Sequence, residues 1–62
     1  MDKGTVWKFL EAGKLQDLAT ILRGSTIPRR RELGMDTAIV TLLADYAEGN
    51  DVEGVKRILS AL

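Results

Sequence analysis

Sixty-two residues, 45% of them hydrophobic and 29% charged, make one globular domain near the lower size at which a single core sustains itself. Nine basic and nine acidic side chains cancel, and there is neither cysteine nor histidine. This composition excludes a disulfide framework, a thiolate or imidazole metal site and the usual neutral-pH general base.

Taken in chain order, the first predicted helix covers about residues 3–12. Val6, Trp7, Phe9 and Leu10 give it an apolar face at helical spacing, and Gly13 is placed to end it in a left-handed turn. The second covers about 15–23, with Leu15, Leu18, Ile21 and Leu22 on one stripe. Arg23 favours its C-terminal dipole, and Gly24 stops it. Residues 25–35 interrupt the pattern. Pro28 keeps Ile27 out of helical angles, Ser25 and Thr26 supply turn chemistry, and residues 28–33 allow one helical turn closed by Gly34. Asp36 is the expected N-cap of a third helix over 37–48, on which Ala38, Ile39, Leu42, Leu43 and Tyr46 share a face widened by Val40 and Ala47. Gly49 and Asn50 make the next turn and Asp51 caps a fourth helix over 52–62. Its stripe is Val52, Val55, Ile58, Leu59 and Leu62. No alternating strand pattern competes. The expected fold is all-α: a four-helix domain of two antiparallel helical hairpins, 3–24 and 36–62, joined by a basic loop at 25–35.

The two hairpins echo each other. FLEAGKLQDLATILR at 9–23 and YAEGNDVEGVKRILS at 46–60 align at an offset of 37, with Phe9 facing Tyr46, Leu15 facing Val52 and Leu18 facing Val55. In its second copy, LLADYAEGNDVEGVKRILSAL, the sequence resembles a tetratricopeptide-type helical hairpin. Tyr46, Asn50, Asp51 and Leu59 stand at that family's places, as do Phe9, Gly13 and Leu22 in the first copy. The departures are Val55 and Leu18 where the family has a small residue, a missing proline after the second helix, and a period longer than its usual ~34 residues. The resemblance implies a unit that presents surfaces to partners and carries out no chemistry.

Charge is unevenly spread. Residues 1–22 balance, 23–34 carry plus three, and 35–62 carry minus three. The sharpest candidate site is the arginine cluster Arg23, Arg29, Arg30 and Arg31, whose planar guanidiniums suit phosphate or carboxylate partners. Arginines near a helix N-terminus oppose its dipole, so helix stability does not explain them. Trp7 is read first as a core or hairpin-packing residue with one edge exposed, and second as a candidate interface anchor. The carboxylates Asp45, Glu48, Asp51 and Glu53 fit no calcium loop, and the glycines form no phosphate loop. A DNA-reading helix over 52–62 would offer Lys56 and Arg57 but no base-reading amide.

The reading is therefore a non-catalytic protein-interaction module with no cofactor, metal or small-molecule substrate. It is expected to self-associate as a homodimer through apolar helix faces and the arginine loop. Its alternative is a small nucleic-acid-binding or regulatory protein that contacts phosphates through the arginines. No apolar run approaches the ~20 residues that span a bilayer, and MDKGTVWKF lacks a signal-peptide pattern, so a cytoplasmic setting is expected.

Overall fold

A computed structural model describes residues 2–24 and 31–61, and all regular structure among these residues is helical. Four helices account for most of the described residues: α1 (Lys3–Glu11), α2 (Leu15–Gly24), α3 (Thr37–Glu48) and α4 (Val52–Ala61). Residues 31–33 add a short helical turn ahead of Gly34. The turn expected at Ser25, Thr26, Ile27 and Pro28, and the last member of the final stripe, Leu62, lie outside the described residues.

Carboxylates start three of the four. Asp2 Oδ1 accepts the Thr5 N–H at 2.8 Å and the Thr5 hydroxyl at 3.0 Å. Asp36 accepts the Ile39 N–H at 2.9 Å, and Asp51 that of Gly54 at 2.9 Å. Each satisfies one of the donors that a helix start leaves without an internal partner. The roles expected of Asp36 and Asp51 are as the structure has them, and Asp2 joins them.

α1 and α3 end alike. Gly13 N–H reaches Leu10 O at 3.1 Å and Lys14 N–H reaches Phe9 O at 2.9 Å. At the end of α3, Asn50 N–H reaches Ala47 O at 3.0 Å and Asp51 N–H reaches Tyr46 O at 2.8 Å. This pair of bonds is the Schellman termination, which needs a left-handed residue at its pivot. Gly13 (φ 71°) and Asn50 (φ 59°) supply it. The sequence echo is thus also a backbone echo, at the same offset of 37.

The core runs through all four helices: Val6 and Leu10 of α1, Leu15, Leu18, Ala19 and Leu22 of α2, Val40, Leu43, Ala44 and Ala47 of α3, and Val55 and Leu59 of α4. The largest interface is α2 against α3. α1 packs on α2, α4 on α3, and α1 also meets α4, so the contacts close into a ring. Leu33 and Met35 are buried as well, and they pin the descending end of the link to the core. No polar or charged side chain is buried among the described residues.

The phase of α3 differs from expectation. The inward stripe is Val40, Leu43, Ala44 and Ala47, whereas Ala38 and Leu42 point outward and Ile39 and Tyr46 are half-buried. Residues 37–44 contain no charge to mark a solvent side, so the packing of α2 and α4 chooses the face. Phe9 and Tyr46, on the apolar faces read from the sequence, lie partly buried against the core.

Candidate interaction surface

Because α3 is apolar on more than one side, turning Val40 and Ala44 inward leaves an uncharged strip outward. Leu42 is its centre, 44% exposed, with exposed Ala38 one turn before it. Ile39 and Tyr46, three residues before and four after Leu42, border the strip on one side. Leu42 and Val52 are the two exposed large hydrophobic residues among those described.

The other side of the strip is charged and already engaged. Arg23, at the end of α2, donates from one guanidinium nitrogen to Asp45 Oδ1 at 2.5 Å and also to Glu48 Oε2. Gln16 Nε2, two turns earlier on α2, donates to the Glu48 carbonyl at 2.9 Å. The Asp45 and Glu48 hydrogen bonds hold the Arg23 guanidinium above its usual pKa range. The group stays charged at every practical pH in any case. These bonds lace the outer edge of the α2–α3 seam.

Of the predicted arginine cluster, two members are described. Arg23 faces α3, Arg31 is exposed on the short helical turn, and Arg29 and Arg30 lie outside the described residues. Trp7 is half-buried and packs against the core from α1. Near it the chain carries Lys3 and Lys8, both exposed.

Sequence reasoning missed two features of this surface. One is the capture of Arg23, whose partners lie 22 and 25 residues away. The other is Gly54, buried in the first turn of α4. A Cβ there would fall 2.8 Å from Tyr46 Cγ and 2.8 Å from Asp51 Oδ2. The tyrosine ring lies directly over this glycine, which fixes where Tyr46 borders the strip. A glycine inside an amphipathic helix was the available signal.

Among the described residues there is no cavity, no group of carboxylates arranged to hold a metal ion, and no helix long and apolar enough to cross a membrane. Compared with known protein families, curated proteins and solved structures, the chain matches none of the three.

Proposed function

We propose that the chain is a non-catalytic interaction module that pairs with a second copy through the outward strip of α3. The observation that carries this reading is Leu42, exposed within a helix segment that has no charge from Thr37 to Ala44. Most surface helices keep charge opposite their buried stripe, and a helix without it is usually covered. The size of the chain argues the same way, since so small a core gains from association. The arginine-bearing link and the Asp45–Arg23–Glu48 triad would form the charged rim that sets orientation. The two Schellman turns support reading α1 with α2 and α3 with α4 as a pair of like hairpins, in keeping with the tetratricopeptide-like pattern.

Of the cluster on which the nucleic-acid alternative depends, Arg23 is already neutralised by two carboxylates, which leaves fewer arginines for phosphates. Gel shifts at low salt decide between the two readings. Retardation of DNA or RNA that is lost in Arg29→Ala/Arg30→Ala/Arg31→Ala would establish the alternative. For self-association, light scattering over a concentration series should show a dimer for the natural chain and a monomer for Leu42→Lys, with equal helicity by circular dichroism. A natural chain that stays monomeric to about millimolar concentration, the weak end of specific pairing, contradicts the proposal.

A further inference from the structure

The outward strip of α3 has two unlike sides. On one side Ile39 and Tyr46 are half-buried, and α4 lies beyond them, because its Gly54 sits under the Tyr46 ring. On the other side Asp45 and Glu48 hold Arg23 of α2, and the exposed hydroxyl-bearing Thr37 and Thr41 lie nearer the helix start. One side is thus apolar, and the other is polar but charged only in its last third. We infer that the second copy docks antiparallel, crossing at Leu42, so that Ile39 of each chain meets the partner's Tyr46. This rests on the self-pairing reading above and adds to it the direction and the contacts of the partner.

Two copies of one helix face related by a two-fold axis meet either parallel or antiparallel. With the axis along the helices they run parallel, and each apolar side is set against the partner's polar side. Tyr46 then faces the partner's Asp45, and Ile39 faces the partner's Ala38. With the axis across the helices they run antiparallel, and like sides meet with their order reversed. Leu42 stands in the middle of α3 (Thr37–Glu48), so a crossing there overlaps the whole helix. Ile39 lies three residues before it and Tyr46 four after, so the aliphatic chain and the partner's ring come level. Apolar surface is then covered by apolar surface, where the parallel pair would set it against charge.

Electrostatics select the same direction. Each Asp45–Arg23–Glu48 triad has two carboxylates to one cation and is net negative. A parallel pair holds the two triads level with each other, like charge beside like charge. An antiparallel pair sets each against the partner's uncharged segment from Thr37 to Ala44. It also separates the two Asp45 by about 9 Å along the axis, close to the screening length of physiological salt.

The chain has no cysteine, so single introduced thiols report the direction of pairing. The variants are Ala38→Cys, at an exposed position, and Gly49→Cys, where an added Cβ meets nothing closer than 3.5 Å. Antiparallel docking brings Ala38 within about 5 Å, along the axis, of the partner's Gly49 and leaves the two Gly49 about 20 Å apart. A disulfide tolerates a Cα separation of only about 7 Å. Mixed in equal amounts in a glutathione redox buffer and read by mass spectrometry, the variants should give the mixed disulfide at least about tenfold over either homodisulfide, against about twofold for random pairing. Leu42→Lys added to both should return the ratio to random. Dominant homodisulfides mean parallel docking, which overturns the inference while self-pairing through α3 stands. A random ratio or no disulfide, in a sample that light scattering shows to be dimeric, removes α3 as the interface and overturns both, as does a monomer. The natural chain gives a check free of substitution. In a mixture of labelled and unlabelled chains, Ile39 should transfer magnetisation to the partner's Tyr46 ring, and transfer to the partner's Ala38 instead contradicts the antiparallel pair.

Discussion

The two helix-ending turns, at Gly13 and at Asn50, share one backbone and differ in nearly every side chain that supports it. Each uses the same pair of Schellman bonds, with distances that agree to about 0.1 Å, and a cap residue at φ −80° (Ala12 and Gly49). The first turn relies on glycine at the left-handed pivot and then enters α2 through Lys14, which has no carboxylate to cap with. The second holds a strained asparagine at the pivot. It offsets that cost with Asp51 as N-cap and with Tyr46 seated on Gly54. The counterpart of Gly54 in the first unit is Asp17, so Phe9 has no such seat. The lesson is that a left-handed pivot and two orphan carbonyls suffice for the turn, while its accessories can be distributed differently.

The two turns should differ most in their response to substitution at Gly54. Gly54→Leu drives a side chain into the Tyr46 ring at its root, where the ring cannot swing aside without changing χ1. It should cost about 3 kcal/mol in urea unfolding, typical of overpacking. Gly54→Ala combined with Tyr46→Ala should recover stability relative to Gly54→Ala alone, a coupling that a double-mutant cycle reads directly. At Asp17 the same introduction of bulk should be almost silent, because that position is exposed.

Gly13→Val comes next. A β-branched residue at φ 71° should lose about 2 kcal/mol even though the space around it is empty. Asn at this position should be tolerated far better, because the second turn already uses it. Smaller still are the caps. Asp51→Ala should destabilise by about 1 kcal/mol, and Lys14→Asp should stabilise by a similar amount by giving the first turn the cap it lacks.

The smallest effect is acid sensitivity at α1. Hydrogen bonds from the Thr5 N–H and hydroxyl hold the Asp2 carboxyl below its ordinary value of 3.8. Since the folded pKa is depressed, the contribution is complete above that value and disappears as pH falls through the lower, folded one. Amide exchange in the first turn of α1 should therefore accelerate below about pH 4, and Asp2→Asn should remove that pH dependence while keeping the cap.

These local features were the legible part of the fold. Gly13, Asp36 and Asp51 act where the spacing of turn and capping residues places them, because a helix end is decided within a few residues. The orientation of α3 was not legible. From Thr37 to Ala44 two apolar stripes overlap, and only the neighbouring helices choose between Val40 with Ala44 and Ala38 with Leu42. The burial of Leu33 and Met35 was hidden for the same reason, inside a segment that reads as a basic loop. Of the candidate site, the exposed position of Arg31 and the half-buried edge of Trp7 were readable from local pattern. The engagement of Arg23 depends on the meeting of α2 and α3, which no local spacing encodes.

The most direct test of self-pairing through α3 is to locate the contacts between copies. In a sample mixing isotope-labelled and unlabelled chains, intermolecular magnetisation transfer should appear at Ala38, Ile39 and Leu42 and vanish in Leu42→Lys. Transfer centred on Trp7, or none at concentrations where light scattering shows a dimer, would contradict the account.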